Sequence, residues 1–474
     1  QRAQTLEEVT LETLNHKALS PKEVGWDKGG EPALGAEPLL AYAGERVELL
    51  RRLASQLRDQ LADGALLSVY RDIEAPLVRV LLGMEERGIE LDVSFLASMS
   101  AELAEDLVTL ENEIYELAGD RFNINSPRQL GEVMFERLGY PVIKKTRKTK
   151  SYSTDSATLE ELAQRGFDLP DRVLRYRELA KLKSTYVESL PNLVGADGRL
   201  HTRYNQIGAA TGRISSNNPN LQNIPIRTEQ GRQIRRAFRA PAGRRLLVAD
   251  YNQIELRILA HIAGEEALIE AFRVGKDIHA ATAATVFGVD EKLVTPDQRR
   301  AAKTINFGIL YGMSAFGLAQ RLKIGRSDAE RFIRTYLGRY ESVERYMEET
   351  VEQAKQEGKV ETLYGRVRWL PEIRSRNFNQ RENARRMAIN ARIQGTAADF
   401  LKKAMIAVDR RLCRDYPDAC LLLTVHDELV LEVPEGRIEE VGRAVRDEMA
   451  GVAELKVPLV VDLGSGSTWY DAKV

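Results

Sequence analysis

Cysteine is nearly missing from this chain: 474 residues carry two, Cys413 and Cys420. So few thiols exclude a disulfide framework and fit a reducing cytoplasm. Neither sits among spaced His or Cys residues, which excludes a Cys-based zinc site. No apolar run approaches the roughly 18 residues of a membrane span. The opening Gln1-Arg-Ala-Gln-Thr-Leu-Glu-Glu8 lacks the apolar stretch of a signal peptide. It also lacks an initiating Met, so the chain reads as a piece of something longer. No repeat at periods of roughly 20–50 residues and no low-complexity segment is present. Excess charge of either sign is missing too. The net charge of −1 does not by itself predict a nucleic-acid partner.

What is present is a globular composition, 43% hydrophobic and 29% charged, with length for roughly two to four domains. The charge is segregated. Residues 227–245 hold seven Arg and one acid, Glu229, and residues 366–386 hold seven Arg against Glu372 and Glu382. Lys144-Lys-Thr-Arg-Lys-Thr-Lys150 is a third basic cluster, while 99–118 is acidic. Segregated charge in a neutral chain suits a basic channel for phosphates, and each cluster alone also suits solvated surface.

In chain order, Leu6–Leu14 and Leu39–Leu61 read as helices, separated by a loop marked by Gly29, Gly30, Pro32, Gly35 and Pro38. From Leu66 the pattern is long helices. Ile73–Arg87 ends at Gly88. Asp92 caps a helix running to about Leu117. Ser126-Pro127 opens Arg128–Leu138. Ser156–Arg165 and Asp171–Leu190 follow, with the Lys144–Lys150 cluster on an exposed loop or hairpin. Residues 198–245 are short strands, turns and Arg. Within them Thr211–Pro225 is rich in turn formers and amides, including Arg213 and Asn223, that suit sugar, phosphate or base edges. A helical block covers 253–360, and 382–405 is a further helix.

Two stretches carry carboxylates at strand ends. Leu246-Leu-Val248 is a short β-prone run that delivers Asp250 to its end, where a helix starts around Gln253 with apolar residues at 254, 258, 259 and 262. Cys420–Val433 reads as a β-hairpin with His426-Asp427-Glu428 at or beside its tip. A helix 436–450 and a final strand Val457–Val461 complete an α+β unit. If the hairpin pairs beside the Asp250 strand, Asp250 and Asp427 converge and can bridge two Mg²⁺ ions about 4 Å apart. A cap network is the structural alternative. Between the two stretches, Arg299, Lys303, Phe307 and Tyr311 are spaced by four and share one helix face, able to hold a triphosphate at one end and a base or sugar at the other. His279 is another candidate phosphate contact. Arg386, Asn390 and Gln394 repeat the spacing and could reach one groove.

These residues resemble a known family. DYNQIELR at 250–257, RRAAKTINFGILYG at 299–312 and VHDE at 425–428 are similar to the A, B and C motifs of family A DNA polymerases. TGRISSNNPNLQNIP at 211–225 and the Asn390–Gln394 segment match as well. The resemblance covers essentially all of 66–474, with the layout of the family's large, Klenow-type fragment. It implies an α+β right-hand polymerase. Residues 67–194 would be the thumb and lead-in helices, 195–262 the first part of a palm with an antiparallel sheet, 263–397 the helical fingers, and 398–474 the second part of the palm. Residues 1–66 would be a partial, degenerate 3′–5′ exonuclease-like remnant.

By the same resemblance, Asp250 and Asp427 are metal ligands, with the Tyr251 carbonyl adding a contact, for two Mg²⁺ ions that Mn²⁺ could replace. Arg299, Lys303 and His279 hold the triphosphate, Lys303 also being a candidate acid for the leaving pyrophosphate. Phe307 lies against the sugar, Tyr311 stacks at the templating position, and Gln253 and Glu255 border the nucleotide, Glu255 blocking a ribose 2′-OH. Arg213, Asn223, Gln394 and His426 contact primer-side DNA, Arg386 and Asn390 the template, and Lys144, Lys145, Arg147 and Lys148 the duplex near the thumb tip. Glu428 is a nearby, non-essential carboxylate. The expected partners are primer–template DNA and dNTP. The expected setting is a monomer in the bacterial cytoplasm at the nucleoid, in replication and repair.

The sequence departs from the family pattern in three places. Asn252 stands where Ser is usual, and Arg392 where Pro is common, adding charge near the groove-reading helix. In Tyr42-Ala-Gly-Glu-Arg46, Arg46 occupies the place of a catalytic Asp, so no proofreading is expected. A phage-type RNA polymerase would share the palm logic, but Glu255 should exclude ribose. A catalytically silent DNA clamp would not need Asp250, Asp427 and Lys303.

Overall fold

The computed structural model describes residues 5–25, 36–63, 66–146, 150–226 and 228–473. Its helices and strands include, in order, α1 (Ala36–Asp63), α2 (Ala75–Arg87), α3 (Val93–Ala118), α4 (Asp168–Leu182), β1 (Arg244–Tyr251), α5 (Ile254–Ala263), α6 (Ile278–Phe287), α7 (Pro296–Leu310), α8 (Glu341–Glu357), α9 (Phe378–Asp415), β2 (Cys420–Val425), β3 (Glu428–Pro434), α10 (Ile438–Ala450) and β4 (Val461–Gly466), with other elements before and between them. The four strands form one antiparallel sheet in the order β4-β1-β3-β2.

The sheet is covered on both faces, which is why its strands read as nearly continuous apolar runs. Successive side chains alternate between faces. Leu247, Ala249, Tyr251, Leu429, Leu431 and Val433 join the cluster that also contains α5, α9 and α10. Leu246, Val248 and Val430 face Phe238, Trp469 and the helices α3 and α4. A register shift between Val430 and Leu431 lets β2 follow the twist. A separate core of Ile114, Leu130, Met134, Leu159 and Val173 holds the far end of α3 together.

Helix starts follow local chemistry. Asp92 Oδ1 accepts from the Phe95 amide at 2.9 Å, capping α3 as its sequence predicts. Thr295, with Pro296 at the first helical position and Gln298 reaching back, forms a capping box on α7. Several expectations need correcting. Pro38, read as loop, lies in the first turn of α1, where a missing amide costs no bond. The helix 382–405 runs to 38 residues, because Thr396–Met405 is buried almost throughout and tertiary packing extends it. The final strand is displaced. Residues 457–460 give their carbonyls to Arg257 (from Pro458, 2.8 Å) and to the Asn252 amide (from Val460, 2.9 Å), and the ladder begins at Val461. It continues through Gly464, Ser465 and Gly466, a loop-like sequence. A Cβ at Gly464 or Gly466 would collide with the backbone of Asp471 and Ala472, so only glycine lets that segment cross the strand.

A charged group is buried where α2 meets α9. Asp399 is fully buried and accepts from Arg366 at 2.7 Å and from the Thr362 hydroxyl at 2.7 Å. Glu74 bridges Arg366 to Lys402, the latter at 2.6 Å and also fully buried. Two cations and two anions cancel only while complete. Arg366→Met should therefore lower stability by about 3–5 kcal/mol by leaving Asp399 without its cation. Denaturant unfolding of the variant checks this, and a change below about 1 kcal/mol would mean that Asp399 is neutral in the folded state.

Candidate active site

Asp250 stands at the penultimate position of β1, opposite Glu428 of β3 on one side and Asp462 of β4 on the other. Directly opposed residues of antiparallel strands share a face, so three carboxylates line up across the sheet. Asp427 occupies the two-residue turn joining β2 to β3, beside His426 with its φ of 54°. The Asp427 carbonyl accepts from the Tyr251 amide at 3.2 Å, tying the turn to the end of β1. Asp250 and Asp427 thus meet as the sequence reading requires, with Tyr251 at the junction.

Burial, then Glu428, Asp427 and Asp462, push the Asp250 carboxyl up to about 7. Asp427 and Glu428 are likewise raised by burial. Arg213 and His426 oppose the shift at Asp427, and Arg235 and the Trp469 indole oppose it at Glu428. Arg235 lies 3.5 Å from Glu428 and stacks 3.9 Å from the Trp469 ring centroid. Negative charge exceeds what these groups neutralise. Hard oxygen donors with unmet negative charge suit Mg²⁺. Among the described residues no three His, Cys, Asp or Glu side chains form a ready-made cage.

Arg213 is engaged on the protein itself. It donates to Glu255 at 2.6 Å and lies 3.9 Å from Asp427. The other Glu255 oxygen accepts from the Tyr311 hydroxyl at 2.6 Å. Glu255 is buried and its carboxyl is raised by that burial, with Arg213 and Tyr311 acting against it. One chain of contacts therefore joins Asp427 to the end of α7. Gln253 precedes α5 with a left-handed φ of 52°, its Oε1 buried without a partner among the described residues.

On α7, Arg299 and Lys303 are exposed and Phe307 is half-buried. Arg299 Nε donates to Asp277 at 2.6 Å, and Asp277 in turn caps α6. The helix ends at Leu310, so Tyr311 is its C-cap, not a further member of the helical face. The left-handed Gly312 (φ 62°) follows it. The Tyr311 ring still lies 6.3 Å from that of Phe307. His279 is buried, its ring 6.0 Å from Phe307. Burial and the cation Lys303 push its imidazole down to about 4, with Asp277 working against them.

Arg386, Asn390 and Gln394 lie half-buried along one side of α9, and Asn390 Oδ1 is buried without a partner among the described residues. Arg386 packs against Gly312, where a Cβ would come within 3.1 Å of its Cγ. Arg392 corrects an expectation. It turns to α8, over the Tyr346 ring at 5.6 Å and bonded to Thr350 at 3.4 Å, and adds no charge to the groove. Asn223 is exposed, its carbonyl held by the Tyr186 hydroxyl at 2.6 Å. Lys144 pairs with Asp155 at 2.8 Å, and Lys145 lies 5.3 Å from the Tyr152 ring centroid. Arg147 and Lys148 lie outside the described residues. Arg46 pairs with Glu7 at 2.5 Å and sits 4.2 Å over the Tyr42 ring, tying the helix Leu6–Leu14 to α1.

The family model described as DNA polymerase family A matches residues 93–471. The chain belongs to that family. DNA polymerase I of Pseudomonas aeruginosa is 48% identical over 473 residues, 98% of this chain and 52% of its own length. The thermostable DNA polymerase I of Thermus aquaticus is 49% identical over 433 residues, 91% of this chain and 52% of its own. This family A chain therefore spans about half the length of these relatives. It also superposes on the POL domain of Pol1 from M. smegmatis, solved in complex with DNA primer-template and dNTP. The TM-score is 0.91 and the identity 40%, covering 100% of this chain and 80% of that one. Among the described residues no helix is long and apolar enough to cross a membrane.

Asp462 and Asn306 went unnoticed in the sequence. Asp462 enters through the displaced strand β4, and its carboxylate accepts from Asn252 at 2.8 Å. Asn306 sits inside the motif 299–312 on the buried face opposite the cations, where only packing shows its partners.

The raised Asp250 carboxyl has a measurable consequence. Its folded value, about 7, exceeds its ordinary 3.8. Across that window the folded protein keeps a proton that the unfolded chain releases. Metal-free stability is therefore fully held below the unfolded value and lost as pH rises through about 7. Unfolding in EDTA should show wild type weakening more steeply than Asp250→Asn between about pH 4 and 7. Parallel curves for the two proteins would contradict the carboxylate crowding.

Proposed function

We propose that this chain is a template-directed DNA polymerase that adds dNTPs to a primer 3′ end and releases pyrophosphate. The single observation that carries the reading is the meeting of Asp250 and Asp427 at the end of one sheet, pinned by the Tyr251–Asp427 backbone bond at 3.2 Å. The sheet with its flanking 195–262 and 398–474 would be the palm, 263–397 the fingers and 67–194 the thumb. Residues 1–66 would be a remnant of an exonuclease fold without proofreading, since Arg46 is spent on Glu7 and Tyr42.

In-line phosphoryl transfer needs positioning and charge neutralisation more than covalent chemistry. Asp250, Asp427 and the Tyr251 carbonyl would hold two Mg²⁺ ions. When bound, these would favour the attacking hydroxyl and the departing pyrophosphate. Arg299, oriented by Asp277, and Lys303 would receive the triphosphate, with Lys303 Nζ able to give its proton to the leaving pyrophosphate. His279 would add a hydrogen bond on the same side. Phe307 would lie against the sugar. Glu255, held by Arg213 and Tyr311, would close the space a ribose 2′-OH needs. Tyr311 would fill the templating position until the cationic helix closes, tying selection to base-pair shape. Arg213, Asn223, Gln394 and His426 would line the primer side, Arg386 and Asn390 the template, and Lys144 and Lys145 the duplex.

Extension of a primed DNA template with Mg²⁺ and dNTPs tests the reading. Wild type should extend, and Asp427→Ala should lose at least about a hundredfold in rate with duplex binding kept. Tight duplex binding without extension by wild type would sink the proposal in favour of a silent clamp.

Two sugar-selectivity predictions follow from the same placement. Glu255→Ala should raise the ribonucleotide-to-deoxyribonucleotide incorporation ratio by about 10- to 100-fold, measured by competition on one template; an unchanged ratio would remove the role given to Glu255. Phe307 has no hydroxyl to stand in for a missing 3′-OH, so wild type should discriminate against dideoxynucleotides, and equal use of both sugars would count against its place beside the sugar.

A further inference from the structure

The buried side of α7 holds a relay that the proposed chemistry does not yet use. Thr282, Asn306 and His279 are all buried, Thr282 and Asn306 completely. The Thr282 hydroxyl donates to Asn306 Oδ1 at 3.1 Å, and Asn306 Nδ2 lies 2.9 Å from His279 Nδ1. The relay has a direction. The Thr282 hydroxyl has one proton to give, and gives it to an acceptor on the Asn306 side chain. That acceptor is the amide oxygen, so the amide nitrogen must face the imidazole. An amide nitrogen only donates, so Nδ1 must accept and the ring proton must sit on Nε2.

We infer that Asn306, oriented by Thr282, positions His279 as the Nε2–H tautomer, so that a neutral imidazole presents a hydrogen-bond donor to a nucleotide phosphate oxygen. The inference rests on the placement of His279 beside the triphosphate given above. The surroundings favour it. Lys303 and the Arg299–Asp277 pair all act on the ring, and burial with the two cations keeps the imidazole uncharged near neutrality. A neutral donor at this point binds phosphate without titrating over the working pH range. In the opposite tautomer Nε2 would turn a lone pair toward the phosphate and repel it. Asn306 and Thr282 are therefore positioning residues that act through His279.

The chain has five histidines, so ¹⁵N-histidine spectra of the whole protein are tractable, with the His279 signals assigned by their loss in His279→Gln. Wild type should show His279 with a bare Nδ1 and a protonated Nε2. Thr282→Val, close to isosteric, frees the amide to turn and should populate the other tautomer. Asn306→Asp should place the proton on Nδ1. Both should raise KM for dNTP by about tenfold while kcat changes far less. A wild-type spectrum with the proton on Nδ1 would overturn the inference whatever the kinetics. So would variants that move the proton with no change in KM while His279→Gln does raise it. If the wild-type spectrum is as expected but His279→Gln leaves KM for dNTP unchanged, the tautomer stands and the placement of His279 beside the triphosphate falls. The spectrum of wild type alone remains decisive if a buried variant does not fold.

Discussion

Like charges crowded at the end of a buried sheet are the constraint around which this molecule is built. Asp250, Glu428 and Asp462 stand abreast, with Asp427 on the adjoining turn, beside the apolar middle of β1 and β3. Such an arrangement persists only if the rest of the fold holds it in place, since the carboxylates gain nothing from one another. The ladder of β1 with its two neighbours, packed on both faces, provides that hold. Arg235, clamped against Trp469, and Arg213, clamped on Glu255, neutralise part of the charge and leave part unmet. The unmet part makes the site receptive to a hard cation.

The helical region beside the sheet is linked to this crowding through side chains. Glu255 begins α5 directly after β1, and its two oxygens take Arg213 on one side and Tyr311 on the other. A change at the end of α7 therefore reaches Asp427 through two hydrogen bonds and an ion pair. On the outer face of α7, Asp277 holds Arg299. On its inner face, Thr282 and Asn306 hold His279. The same helix pair, α6 and α7, thus sets the orientation of a cation and of an imidazole by separate contacts, one at the surface and one in the core. Exposed ion pairs are easily exchanged for a ligand, whereas a buried relay is not. The division suits a surface that must receive a charged substrate without losing its shape.

Much of this was legible in the residues themselves. The hairpin 420–433, the capped start of α3 and the cation face of α7 follow from local rules of alternation, capping chemistry and spacing by four, whereas the meeting of Asp250 with Asp427 needed the further condition that the hairpin pairs beside β1. What escaped those rules did so for identifiable reasons. Gly464-Ser-Gly466 looks like a loop, yet forms an edge strand because the following segment crosses it too closely for any side chain. Arg392 looks like groove charge, yet it packs on Tyr346 of α8. Tyr311 continues the spacing by four, yet the helix ends before it. The Lys402–Glu74–Arg366–Asp399 group joins residues far apart in the chain, and no spacing rule reaches that far.

The sequence by itself determined which residues are candidates for the chemistry, because carboxylates at strand ends and cations on one helical turn are local patterns, and the five motifs are specific enough to name a family. It also determined the class of fold, through the period of its apolar positions. The tertiary structure alone decided the ionisation and orientation of those residues. Asp250 is pushed toward neutral pH only because Glu428 and Asp462 arrive from other strands. Glu255 is held only because Arg213 and Tyr311 converge on it. His279 keeps one tautomer only because Asn306 and Thr282 meet in the core between two helices. Charge, burial and hydrogen-bond direction depend on what surrounds a group in space, and that surrounding is assembled from parts of the chain that no local pattern connects.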